Sequence, residues 1–361
     1  MRVLLATDAW YPQVNGVVRT LARVRDELTT AGVTVEVVAP DSFRSIPCPT
    51  YPEIRLALAP GRGIAARIDA FVPDAIHIAT EGPIGHATRA ICRRRGMAFT
   101  TSFHTRFPEY VKARFGVPVG IGYSVLRRFH GPASAVMVAT ASLRRELEQR
   151  GFDNVVAWSR GVDTDLFRPR RGGLGDLPRP VFAYVGRVAV EKNIGAFLAL
   201  DLPGTKVVIG DGPQRAALAR RYPETRFLGT LHGEALAAAF ADADVFVFPS
   251  RTDTFGLVLL EALACGVPVA AYPVTGPIDV VNDPRVAVLD EDLGRAAQAA
   301  LTLSRDACRA FALGHGWSQT AQQFADNLAL LSDAAVPAIV PAQAIERPRS
   351  APPRLAPPPV A

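Results

Sequence analysis

Residues 245–270, VFVFPSRTDTFGLVLLEALACGVPVA, pass from a short apolar run through a polar loop into a second apolar stretch. A Gly-Val-Pro break then leads into another short run. Strand, loop, helix and strand in that order make one unit of a parallel sheet, because parallel partners need a crossover of about this length. The same rhythm extends both ways. Before residue 170 the strand candidates are Val3–Thr7, Thr34–Val38, Ala75–Ile78, Ala98–Ser102, Val136–Ala139 and Val155–Trp158. After residue 180 they are Val181–Val185, Lys206–Ile209, Arg226–Leu228, Val245–Phe248, Val267–Ala270 and Val286–Leu289. Helical stretches such as Val17–Ala31 and Leu257–Cys265 separate most of them. The expectation is an α/β fold of two Rossmann-like domains facing a central cleft, with ligands beyond the carboxyl ends of the strands.

The division follows composition. Residues 1–168 form the first domain; 169–180, rich in Pro and Gly, a linker; 181–313 the second domain; 314–333 a crossover helix; and 334–361 a Pro/Ala-rich tail expected outside the fold. With 49% apolar and 20% charged residues in 361, the chain has material for two cores and too little net charge for disorder. No apolar run reaches the roughly 18 residues of a membrane span, and the N-terminus lacks the marks of a signal peptide. Cys48, Cys92, Cys265 and Cys308 stand far apart without a CxxC pair, so a reducing cytoplasm is expected. The net charge of +6 is uneven. Residues 1–170 hold 23 Lys+Arg against 15 Asp+Glu, and the rest 17 against 19.

Four segments carry chemistry. Glu261 has apolar neighbours all round its helix, so its carboxylate needs either a structural partner or a ligand's hydroxyl pair. Asp253 precedes that helix as an N-cap, a role shared with Thr254, or as a ligand group. The amides of Phe255, Gly256, Leu257 and Val258 offer a helix N-terminus to an anion. In the second segment a strand ends in Gly186-Arg187 and Lys192 follows at a helix start, where it opposes the macrodipole. Two cations there suit a diphosphate; a surface pair of Lys192 with Glu191 is the structural alternative. The third segment, Asn15-Gly16, permits a tight turn whose amides could face phosphate. The fourth sets His104 just past a strand, as a structural or a site histidine. His77, His86, His130, His232 and His315 show no metal-ligand spacing.

Together these segments resemble the retaining glycosyltransferases of sequence family 4, which have the GT-B fold, over nearly the whole chain to about residue 331. Ser159-Arg160-Gly161-Val162-Asp163, Gly210-Asp211-Gly212-Pro213 and Ala241-Asp242-Ala243-Asp244 support the likeness. The resemblance implies that Arg187 and Lys192 neutralise the donor diphosphate, Glu261 holds the ribose hydroxyls and Asp253 the sugar hydroxyls. It further implies that Gly186 and the 255–258 backbone approach the donor, Gly16 lets the N-terminal loop come close, and His104 contacts the transferred sugar. The family's usual pair is Glu-x7-Glu, and Asp253 departs from it with a shorter arm. The surroundings of His104 and Pro108-Glu109-Tyr110 look most like the branch acting on glycolipids, which includes mannosyl and sulfoquinovosyl transferases.

The implied function is transfer of a hexose, GDP-mannose being the first choice of donor, to a glycolipid or glycan acceptor. No cofactor or metal is expected, since Asp163-x-Asp165 and Asp242-x-Asp244 read as turns and caps. A UDP-sugar donor is the alternative, and a sugar-nucleotide 2-epimerase a further one that would want more acid/base residues. No GxGxxG follows the first strand, which argues against a dinucleotide oxidoreductase. Arginines interleaved with apolar residues from Arg62 to Phe129 suit an anionic membrane surface or a solvated helix face. Nucleic acid fits less well, because the charge is not focused on one short element.

Overall fold

In the computed structural model the described residues are 1–13, 15–48, 51–253, 255–331 and 336–339. The chain opens with β1 (Arg2–Ala6) and β2 (Thr34–Val38), then an antiparallel hairpin of β3 (Ser45–Cys48) and β4 (Tyr51–Ala57). It continues with β5 (Ala75–Ile78), β6 (Thr100–Phe103), β7 (Ala135–Val138) and β8 (Val155–Ala157). Apart from the hairpin these strands form a parallel sheet in the order β2-β1-β5-β6-β7-β8. The second half supplies β9 (Val181–Val185), β10 (Thr205–Ile209), β11 (Arg226–Gly229), β12 (Val245–Phe248), β13 (Val269–Ala271) and β14 (Ala287–Leu289). They pair in parallel as β11-β10-β9-β12-β13-β14. The two expected parallel sheets are both present.

Continuous apolar strands are what a sheet covered on both faces requires. Phe182 and Tyr184 of β9 join Val245 and Val247 of β12 in one core, while Val181, Ala183 and Val185 join Phe246 and Phe248 in the other. In the first sheet Val3 and Leu5 point to one core, and Leu4 and Ala6 to the other. Each sheet reverses its strand order beside its first strand, so the loops after β1 and β5, and after β9 and β12, flank the two crevices.

Several expectations shift. The hairpin β3–β4 is unanticipated, because Pro47 and Pro52 interrupt its alternation; a two-stranded ribbon has only edge strands, where proline is tolerated. β13 begins at Val269 rather than at residue 267, since Pro268 brings no N–H to the ladder and contributes its carbonyl to Phe246 N. β6 spans Thr100–Phe103, two residues later than expected at its start. The 169–180 segment lies along the second domain: Leu174 N donates to Asp242 at 2.9 Å, and Arg179 reaches Asp242 at 2.6 Å and Asp244 at 3.1 Å. The helix Trp317–Asp326 returns to the first domain, where Ala321, Phe324 and Ala325 pack with Trp10, Leu21 and Val24. Residues 336–339, expected outside the fold, instead dock there. Val336 and Ile339 join the same core, and Ile339 N donates to Gln322 at 2.6 Å. The apolar pair between prolines outweighs the surrounding composition. The rest of that tail lies outside the described residues.

The loops after β9 and β10 meet backbone to backbone. Gly210 has φ +141°, and a Cβ there would lie 1.9 Å from the Gly186 carbonyl oxygen. Gly210→Ala should therefore lower stability by about 2–3 kcal/mol in urea unfolding. Gly61→Ala, where a Cβ meets open space, should change it little. A midpoint for Gly210→Ala matching wild type would remove this account of the loop.

Candidate active site

The helix Leu257–Ala264 is apolar on every side except at Glu261, whose side chain is 4% exposed. A carboxylate so placed must be compensated. Its Oε1 accepts from Arg19, which belongs to the first turn of the helix Gly16–Thr30 in the other domain. Its Oε2 has no hydrogen-bond partner among the described residues. Arg19 therefore spans the cleft, as does Ser142, whose N donates to Asp279 at 3.1 Å; Arg23, one turn on from Arg19, pairs with Asp163 within the first domain. A Cβ on Gly16 would come within 3.9 Å of Leu257, so the N-termini of the two helices face each other.

Those N-termini differ. Asn15 caps its helix with its own side chain, accepting from Val17 N and Val18 N at 3.0 Å each, so these amides are already engaged. Opposite, the cap position is Gly256 at φ +81°, and no side chain among the described residues is bonded to the first amides of Leu257 and Val258. Asp253 is thus not the N-cap, because the helix starts four residues beyond it; Thr254 lies outside the described residues. Asp253 Oδ1 instead accepts from Lys192 Nζ at 2.5 Å, and its Oδ2 is buried without a partner among the described residues. Lys192 accordingly pairs with Asp253 and not with Glu191. The two loops are stitched further by Asn193, which donates to Pro249 O at 3.1 Å, and by Thr252, which donates to Glu191 O at 3.3 Å. Tyr184 donates to the Arg187 carbonyl at 2.9 Å. The Arg187 side chain is exposed and makes no ion pair among the described residues.

On the first domain's wall His104 follows β6, with Nδ1 3.3 Å from Arg160 and its ring edge-on to Trp158. Burial first, then the charge of Arg160, hold the His104 pKa well below the usual histidine value, so the ring is neutral. Two more histidines lie nearby. His77 bonds Thr100 at 2.9 Å and Ser102 at 2.6 Å, and His130 bonds Thr101 at 2.9 Å and Glu81 at 3.2 Å. Asp8, just past β1, caps the helix Pro83–Arg95 by accepting from Ile84 N at 2.9 Å and Gly85 N at 3.2 Å. Burial raises its pKa in spite of those bonds.

The aspartate pairs are spent on structure. Asp163 accepts from the amides of Asp165 at 3.2 Å and Leu166 at 3.0 Å, while Asp242 and Asp244 hold Arg179. Among the described residues no three His, Cys, Asp or Glu side chains gather as a metal-holding group. The structure thus brings Asn15, Gly16, Phe255, Gly256, Leu257, Val258 and Glu261 to one interdomain edge, and Gly186, Arg187, Lys192 and Asp253 to the adjoining crevice. Sequence inspection missed Arg19 and Arg160. Nothing local marks the partner of Arg19, 242 residues away.

Two parallel-sheet domains joined across a cleft that carries cations and open acidic oxygens have the layout of the GT-B fold. Residues 14–166 match the model for Glycosyltransferase Family 4, and residues 179–306 that for Glycosyl transferases group 1. The chain is 32% identical to a GDP-mannose-dependent alpha-mannosyltransferase of Mycolicibacterium smegmatis, over 80% of its own length and 84% of that protein's. It is also 32% identical to a sulfoquinovosyl transferase of Arabidopsis thaliana over 74% of its length, spanning 57% of the plant protein. Sucrose-phosphate synthase of Thermosynechococcus elongatus superposes with a TM-score of 0.73 at 19% identity, covering 90% of this chain and 97% of that one. Anabaena HepE in complex with UDP gives 0.68 at 16% identity, covering 90% and 99%. The chain belongs to glycosyltransferase family 4.

The buried histidines make stability depend on pH. Burial and then Arg160 push His77 from its ordinary 6.5 down to about 3. Between those values the unfolded chain binds more protons than the folded one, so stability rises with pH and falls on acidification. This group should cost about 2 kcal/mol of stability between pH 7 and pH 5. His77→Gln, which does not titrate, should lose about that much less than wild type in urea unfolding at the two pH values. Equal losses would contradict the neutral buried ring.

Proposed function

We propose that this glycosyltransferase moves a hexose from a nucleoside-diphosphate sugar, GDP-mannose first, to a glycolipid or other glycan acceptor, with retention and without a metal. The observation that carries the proposal is the crevice beyond β9 and β12. There Lys192 pairs with Asp253, whose second oxygen is open, and Arg187, with no ion-pair partner among the described residues, follows β9 on the loop that leads to Lys192. Departure of the diphosphate develops negative charge, which fixed cations and the uncapped Leu257–Ala264 helix N-terminus would stabilise electrostatically. In this scheme the open oxygens of Glu261 and Asp253 accept from ribose and sugar hydroxyls, and His104 meets the sugar from the opposite wall. Donor binding has to draw Glu261 from Arg19, or share it. The name of the mycobacterial relative favours GDP-mannose; the UDP bound by the Anabaena neighbour supports a UDP-sugar as the second reading.

The acceptor side is proposed to lie on an anionic membrane. No helix among the described residues is long and apolar enough to cross one. The first domain instead exposes Phe107 by 50%, Ile121 by 57% and Val125 by 58%, on the helices Phe107–Phe115 and Val119–His130. Arg93, Arg94 and Arg128 are exposed on the same domain. Each cation near such a surface is worth about 1 kcal/mol.

Arg187→Ala and Lys192→Ala should each lower kcat by about 10²–10³-fold with melting temperature preserved. Near-normal turnover would remove the leaving-group role. Chelation should leave the rate unchanged, and a strict divalent-metal requirement would sink the metal-free scheme. In thermal shifts with GDP, UDP and ADP, GDP should stabilise most; a larger shift with UDP would favour the second reading. Sedimentation with anionic vesicles should show binding that salt weakens, and no binding at low salt would return the acceptor to solution.

A further inference from the structure

Arg160 is a buried cation that the proposed chemistry does not use. It is 5% exposed and makes no ion pair among the described residues. Its Nη1 donates to the carbonyls of Trp158 at 2.6 Å and Ser159 at 2.9 Å, and its guanidinium lies 4.1 Å over the Trp158 ring. Trp158 is itself fully buried and donates to Thr320 O at 3.1 Å. The loop has no slack: a Cβ on Gly161 would lie 2.8 Å from the Trp317 backbone, and Val162 N donates to His315 O at 2.9 Å. The returning C-terminal helix therefore clamps the loop that carries Arg160.

Nη2 of the same guanidinium faces His104 Nδ1 at 3.3 Å. A guanidinium has donors and no acceptor, so this bond has one proton arrangement: Arg160 donates and the Nδ1 lone pair accepts. A neutral ring with its lone pair at Nδ1 carries its proton at Nε2. An imidazolium would turn a second donor toward the cation. We infer that Arg160 is a positioning residue that locks His104 as the neutral Nε2–H tautomer. His104 is then a hydrogen-bond donor to an oxygen of the transferred sugar or of the leaving diphosphate, and it is not the base that takes the acceptor hydroxyl's proton.

The donor role rests on the proposal that His104 meets the donor sugar; the tautomer does not. Burial lowers the Arg160 pKa to about 9, which leaves it charged at neutral pH. Burial first, then the charge of Arg160, disfavours a proton on both nitrogens of His104. A guanidinium on Nδ1 also polarises the ring, strengthening the Nε2–H donor.

The test is a long-range proton–nitrogen spectrum of the full chain labelled with 15N-histidine, the His104 signals being identified by their loss in His104→Gln. Wild type should show a protonated Nε2 and an unprotonated Nδ1, and the opposite pattern overturns the inference without any variant at Arg160. In Arg160→Met the signature should become mixed or invert, and kcat should fall about 10- to 100-fold with donor KM changed much less. Arg160→Lys, which keeps a cationic donor, should restore both. An unaltered Nε2–H signature in a folded Arg160→Met would also overturn the lock. Full activity of His104→Gln would instead overturn the donor role of His104, leaving the tautomer assignment to stand on the spectrum.

Discussion

A carboxylate inside an apolar helix constrains this molecule more than any other single group. Glu261 cannot be neutralised from its own helix, because Leu259, Leu260, Ala262 and Leu263 around it are fully buried hydrocarbon. Its compensation comes from Arg19 across the cleft, so the relation of the domains is coupled to the state of one acidic group. The coupling is partial. Arg19 remains substantially exposed and reaches one oxygen, and the other is unsatisfied among the described residues. A buried acceptor left open is costly unless something fills it. The same economy recurs at Asp253, where Lys192 takes one oxygen and leaves the second. Two half-satisfied acids at the carboxyl edge of one sheet suit a hydroxyl-rich ligand better than they suit an empty interior.

The facing wall follows a different principle. Instead of open acids it holds imidazoles and one guanidinium, and two of the imidazoles are bonded by hydroxyls of a strand that carries Thr100, Thr101 and Ser102 in sequence. Because successive residues of a strand point to opposite faces, Thr100 and Ser102 address His77 while Thr101 addresses His130. His104 continues past the strand's end toward Arg160. A polar strand in the middle of a sheet is tolerated since these side chains find partners. The helix Trp317–Asp326, the last among the described residues, is packed against this wall and closes its back.

The uneven charge acquires a place. The surplus of arginine belongs to the first domain, which also exposes Phe107, Ile121 and Val125. The acidic excess of the second domain is largely engaged, with Asp242 and Asp244 on Arg179, Asp283 on Arg285 and Asp290 on Arg295. The +6 of the whole chain is therefore a poor summary of either surface.

Local pattern was enough for much of this. The apolar runs and their helical spacers marked the strands of both parallel sheets within a residue or two, because periodicity records which faces must leave water. The hairpin β3–β4 and the docking of Val336 and Ile339 escaped it, since prolines mask alternation and composition averages over single apolar residues. Types and spacings also marked Glu261, Asp253, Arg187, Lys192 and His104 as groups needing an explanation. What the sequence alone determined was therefore the fold class and the chemistry to be placed in the cleft. Which partner each charge takes was decided only in three dimensions. Arg19 meets Glu261, Lys192 meets Asp253 and Arg160 meets His104, and ionic and hydrogen-bonded pairing depends on distance and burial, which separation along the chain does not encode.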